Sequence, residues 1–217
     1  MTDRRDFLLA GGALLLGGAV PSASAVPVAG RDYVAVTPPQ QVETGARIEV
    51  LEAFSYGCPH CYDLEPRLAV WAKSLPADAM LRRLPISFGK PEWAALAKVY
   101  YTLETLGATA RLHGKVFEAI HGNKLRLEQP DTLFDWVAKE GLDRKQFSDT
   151  YNSFGVQAKI SRLNQLTRDY GVNSVPTLII DGKYRTDGSL TGGHDAMLRA
   201  ASELIALARA ERGGAKK

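Results

Sequence analysis

Phe54-Ser55-Tyr56-Gly57-Cys58-Pro59-His60-Cys61-Tyr62 is the segment on which the reading of this 217-residue chain turns. It holds the only two cysteines in the sequence, three positions apart, with a proline and a histidine between them. The β-rich apolar run Ile48 to Phe54, with Glu52 inside it, leads into the pair. A run with Leu64, Leu68 and Trp71 at helical spacing leaves it. Pro59 suits the first turn of a helix, where its missing N–H has no intrahelical partner. Cys58 then falls at the helix N-terminus, where unpaired N–H groups and the positive end of the dipole favour an anion. The thiol pKa of Cys58 is therefore predicted to fall, each unit amounting to about 1.4 kcal/mol in favour of the thiolate. Cys61 lies one turn on, on the same face, at the roughly 5–6 Å Cα separation that a disulfide spans. Cys58 is expected to be the exposed attacking sulfur and Cys61 the buried resolving one. His60 is expected to bring its N–H or its charge near the Cys58 sulfur, and whatever stabilises the thiolate makes the disulfide a stronger oxidant.

Other uses of two cysteines fit less well. They would be half of a zinc site, but structural zinc takes four ligands, and His113, His121 and His194 are scattered singly. Each of these histidines reads as a surface or hydrogen-bonded residue, so neither a metal nor a cofactor is expected. A purely structural bridge this short would close almost no loop and stabilise little. The pair points to thiol–disulfide exchange.

Residues 1–25 read as an export signal: Arg4 and Arg5, an apolar stretch from Phe7 to Val20, and an A-x-A site at Ala23-Ser24-Ala25. Arg4-Arg5-Asp6-Phe7-Leu8 resembles a twin-arginine signal. The alternatives are the general secretory route and an uncleaved membrane anchor, although the apolar stretch is short for a spanning helix. Export to a bacterial periplasm suits a disulfide, which rarely persists in a cytosol. The formal charge of +3 is mild, and no block of like charge suggests nucleic acid or an acidic membrane surface. The tail from Arg212 to Lys217 is expected to fray.

Along the chain, Tyr33 to Val36 reads as an edge strand and Met80 to Ile86 as a second core strand, giving a strand–helix–strand unit after Ile48. Pro66 is expected to kink the intervening helix. From Glu92 to Tyr170 the periodicity is helical, in five segments, with Asp143 and Ser153 as caps of the last two. Strand signals return at Thr177 to Ile180. Asp181-Gly182 then reads as a hairpin turn, with Lys183 to Arg185 as the paired strand and Ala196 to Ala208 as a final helix. The sheet is thus split around a helical block. Val175-Pro176 opens the strand of its second half, a tolerated place for proline.

Cys58-Pro59-His60-Cys61, the preceding strand with Glu52, the helical insertion and Val175-Pro176 before a hairpin together resemble the thioredoxin superfamily, and within it the DsbA family of periplasmic oxidants. The Pro-His dipeptide is the most telling feature, since thioredoxins typically carry Gly-Pro there. The resemblance implies an α/β thioredoxin fold over residues 26–90 and 172–217, with a helical subdomain inserted at 91–171. It implies that Cys58 forms the mixed disulfide and that Val175-Pro176 is a cis-proline loop pairing with substrate backbone. Glu52 is implied to be the buried acid that relays a proton, with Arg83 as its candidate basic partner. Also implied are unfolded exported proteins as substrates, a DsbB-like membrane oxidase as partner, and a monomer. Two other readings stay open: an isomerase or reductant on the same fold, and a peptide-binding holdase whose cysteines are incidental.

Overall fold

The computed structural model describes residues 26–214; residues 1–25, which read in sequence as an export signal, lie outside them. Five strands form one mixed sheet in the order β1-β5-β4-β2-β3. They are β1 (Val34–Ala35), β2 (Ile48–Phe54), β3 (Ala79–Pro85), β4 (Thr177–Ile180) and β5 (Tyr184–Asp187). β2 lies between its parallel neighbour β3 and its antiparallel neighbour β4. All seven of its residues are buried, which accounts for its nearly continuous apolar run. Helix α1 (Pro59–Lys73) connects β2 to β3. It continues through Pro66 as one helix, so the expected kink does not break it.

Between β3 and β4 come α2 (Pro91–Thr105), α3 (Thr109–Phe117), α4 (Pro130–Lys139), α5 (Arg144–Tyr151) and α6 (Phe154–Asp169). The predicted caps are in place: Asp143 Oδ1 accepts from the Gln146 N–H at 2.6 Å, and Ser153 Oγ accepts from the Val156 N–H at 3.3 Å. α3 runs directly into a π-helical turn, Glu118–Gly122, which periodicity did not foretell. Beyond β5, a short helix α7 (Gly188–Thr191) precedes α8 (His194–Gly214).

The sheet separates two cores. On one face Ile48, Val50, Leu178 and Ile180 pack with Leu64 and Leu68 of α1 and Met197, Leu204 and Ile205 of α8. On the other, Leu51 and Ile179 join the cluster that contains the inserted helices. Burying one such side chain fully contributes about 1.5–3 kcal/mol, so the sheet is clamped from both sides.

The Asp181-Gly182 turn has positive φ at both residues, 55° and 66°, as a tight hairpin requires. A Cβ on Gly182 would lie 2.0 Å from the Gln40 carbonyl oxygen. Arg212 does not fray. It donates to both Asp181 oxygens and, at 2.7 Å, to the Ala46 carbonyl, and α8 runs to Gly214.

Candidate active site

Cys58 is the N-cap of α1, with extended backbone at φ −98° and ψ 117°, and Pro59 takes the first helical position. The Cys58 carbonyl accepts from the Cys61 and Tyr62 N–H groups at 3.1 and 3.2 Å. Both cysteines are free thiols. The Cys58 thiol is pushed down to about 6. The hydrogen bond from the Cys61 thiol is the largest cause; burial opposes it, and the backbone N–H groups of Cys61 and His60 and the His60 charge add to it. Burial and the neighbouring sulfur drive the Cys61 thiol well above its usual value. The two sulfurs are thus unequal in the expected direction, with the Cys61 thiol contributing more than the N–H groups of the helix terminus. His60 is exposed and acts on Cys58 through both its N–H and its charge.

One expectation is corrected. Cys58 is only 6 % exposed, against 0 % for Cys61. The loop before β4 covers it: the Cys58 thiol donates to the Val175 carbonyl at 3.5 Å, and the Val175–Pro176 peptide is cis. Val175 and Pro176 line, with His60, Ser174, Gly188 and His194, a cavity of about 250 Å³ beside the sulfur. On the other side, the Trp93 indole presses on Gly57, where a Cβ would lie 2.7 Å from Nε1.

Glu52 lies beneath the pair, fully buried, on the strand face it shares with Ile48 and Val50. Register places it opposite Arg83, and Arg83 Nε donates to Glu52 Oε2 at 2.9 Å. The basic partner expected from the sequence is therefore in contact. Burial pushes the Glu52 carboxyl up to about 7, partly opposed by the Arg83 charge.

Sequence reasoning missed the next ring of residues. Arg83 also donates to Glu65 of α1 at 3.2 Å, Glu65 contacts His113 Nε2 at 3.2 Å, and His113 Nδ1 meets the Tyr56 hydroxyl at 2.7 Å. Glu65 was findable, since it sits one helical turn beyond Cys61 on the face that covers the sheet. His113 carried no such signal, because only the packing of α3 on α1 brings it here. By donor type Glu52, Glu65 and His113 would suit a small cation, their nearest atoms lying within 4.8 Å of one another. The Arg83 guanidinium already supplies the positive charge of this cluster. His121, on the π-helical turn, donates to the Tyr56 carbonyl at 2.8 Å and stacks on Tyr62 with ring centres 5.1 Å apart.

The DSBA-like thioredoxin domain profile matches residues 49–203. The chain belongs to this family. It is 40 % identical over 189 residues to the thiol:disulfide interchange protein DsbA of Pseudomonas aeruginosa, covering 87 % of this chain and 88 % of that relative. The DsbA of Bordetella pertussis is 37 % identical over 183 residues, covering 82 % and 85 %. A crystal structure of P. aeruginosa DsbA superposes with a TM-score of 0.80 at 40 % identity, over 88 % of this chain and 97 % of that one. The oxidoreductase DsbA of Xylella fastidiosa gives 0.79 at 28 % identity, over 86 % and 100 %. The fold is the thioredoxin fold of the DsbA family, and the protein is a thiol:disulfide oxidoreductase. A holdase with incidental cysteines is thereby set aside.

Proposed function

We propose that this protein is a dithiol oxidase of the periplasm, giving its Cys58–Cys61 disulfide to reduced, unfolded exported proteins. The inequality of the two sulfurs carries the reading. A disulfide is a strong oxidant when its reduced form is stabilised, and Cys58 is stabilised as a thiolate at about 6 by donors that converge on it. A substrate thiolate attacks Cys58 Sγ, the Cys58–Cys61 bond breaks, and Cys61 leaves with the electron pair. Because Cys61 is buried and holds a proton tightly, its leaving sulfur needs a proton, which Glu52 supplies or later takes back. The second substrate thiolate then attacks the substrate sulfur of the mixed disulfide, forms the substrate disulfide and releases Cys58 as a thiolate.

The remaining assignments belong to the same proposal. Pro59 and His60 set the helix start and the thiolate; Val175 and Pro176 meet substrate backbone. Residues 26–90 and 172–217 carry the chemistry, and 91–171 form the inserted subdomain. Residues 1–25 direct export, the protein acts as a monomer, and a DsbB-like membrane oxidase restores the disulfide. Among the described residues no helix is long and apolar enough to cross a membrane.

The test is the reduction potential of the pair together with the rate at which the oxidised protein oxidises a reduced, unfolded substrate. Fast oxidation and a potential well above that of thioredoxin are expected. A potential near thioredoxin's, about −270 mV, overturns the direction of transfer.

A further inference from the structure

Glu52 and Glu65 share one guanidinium: Arg83 Nε donates to the first at 2.9 Å and Nη2 to the second at 3.2 Å. Two carboxylates this close resist ionising together, so the pair tends to keep one proton between them. Their surroundings are not alike. Glu65 has a second contact, His113 Nε2 at 3.2 Å from Oε2. Among the described residues Glu52 has Arg83 alone, and its Oε1 is buried with no hydrogen-bond partner.

The direction of the His113 contact follows from its other nitrogen. The Tyr56 hydroxyl lies 2.7 Å from Nδ1, and burial first, then neighbouring charge, drives that phenol far up, so it stays protonated. Burial disfavours the charged ring, so the imidazole is neutral with one N–H. Nδ1 is the one hydrogen-bond partner of the buried Tyr56 hydroxyl among the described residues, so the hydroxyl donates there rather than leave its proton unpaired. The ring proton then falls on Nε2, aimed at Glu65. The titratable or charged groups around the ring are Tyr56, Glu65 on α1, Arg83 on β3, Glu52 on β2 and Tyr100 on α2, whose ring centre is 6.1 Å away. Phe54 and Phe117 close the remaining sides edge-on.

We propose that His113 is a positioning residue that breaks the tie between the two carboxylates: its Nε2–H keeps Glu65 ionised on Arg83 and sends the shared proton to Glu52 Oε1. The opposite displacements of the two groups agree with this. Burial raises Glu52, whereas Glu65, despite its own burial, is held below the usual range by the hydrogen bond from His113, by the charge that His113 carries at acid pH, and by Arg83. Taken with the reading of Glu52 as the proton partner of Cys61, on which this use of the proton rests, His113 selects which acid serves the sulfur.

Carbon-13 spectra of carboxyl-labelled glutamates in the reduced protein test the placement. Glu52 is expected to titrate near 7, with Glu65 ionised throughout that step. In His113→Leu the Glu65 midpoint is expected to rise by about one unit or more, a tenfold change in proton affinity, and the upper step divides between the two acids. His113→Gln, which keeps an N–H toward Glu65, is expected to restore the native pattern. A Leu variant that folds and leaves Glu65 fully ionised through the step overturns the proposal. Nitrogen-15 spectra of the unaltered protein decide it even if that variant does not fold: a neutral Nε2–H tautomer is expected, and an Nδ1–H tautomer or an imidazolium at neutral pH overturns it. The relay reading fails separately, if the pH profile of mixed-disulfide formation ignores the Glu52 titration.

Discussion

The Cys58 thiol donates to the Val175 carbonyl oxygen at 3.5 Å, across 117 positions of sequence. Once ionised, Cys58 has no proton for that carbonyl, and the other sulfur must carry the stabilisation. Cys61→Ala is therefore expected to raise the Cys58 midpoint from about 6 by more than one unit, because the Cys61 thiol is the largest stabilising group. The check is ultraviolet thiolate absorbance of the reduced protein against pH. An unchanged midpoint would remove Cys61 as the main donor.

His60→Pro deletes both an imidazole and a backbone N–H that stabilise the Cys58 thiolate, whereas His60→Ala deletes only the imidazole. The proline variant is expected to show the larger rise in thiol pKa and the larger loss of oxidising power, about 30 mV per pKa unit. Equilibration with glutathione measures the potential of each. Equal effects from the two variants would show that the backbone donor contributes nothing.

Glu52 and Cys58 act on stability with opposite signs. The folded carboxyl of Glu52 is raised from 4.5 to about 7, so its contribution is full below 4.5 and is lost as pH rises through 7. The Cys58 thiol is lowered from 9.0 to about 6, so in the reduced protein its contribution is full above 9.0 and is lost as pH falls through 6. Glu52→Gln is expected to remove the first dependence. Relative to the parent it gains stability above about 7 compared with below 4.5, by at most on the order of 3 kcal/mol. Urea unfolding on both sides of this window gives the answer, and a pH-independent difference between parent and variant would contradict it.

Gly57→Ala places a methyl 2.7 Å from the Trp93 indole nitrogen. A destabilisation of about 1–3 kcal/mol is expected from the overlap. Trp93→Leu made on top of it should recover part of the loss, with a coupling above about 0.5 kcal/mol in a double-mutant cycle. Additive effects would place the strain elsewhere.

The parts of the fold that were legible share a local cause. Pro59 behind Cys58, the Asp181-Gly182 turn and the caps Asp143 and Ser153 each act within a few residues. Only the family resemblance points to Arg83 as the partner of Glu52; the parallel register of β2 and β3 is what sets the two residues opposite each other. What sequence did not disclose depends on which helix lies against which. The expected exposure of Cys58 failed because the loop that shields it comes from the far side of the insertion. His113 and Tyr56 meet across 57 positions, and His121 reaches Tyr56 only through a π-helical turn that side-chain periodicity does not encode.

The insertion also sets an order of events during synthesis. The ribosome releases Cys58 and Cys61 well before it has made Val175, 117 residues later. At about 5–20 residues per second, both thiols exist for roughly 6–23 s without the loop that shields them. For that interval the unfinished chain is a reduced, unfolded polypeptide with a pair of cysteines. In chemical terms the two are open thiols until that loop exists, and a reducing cytosol keeps them so.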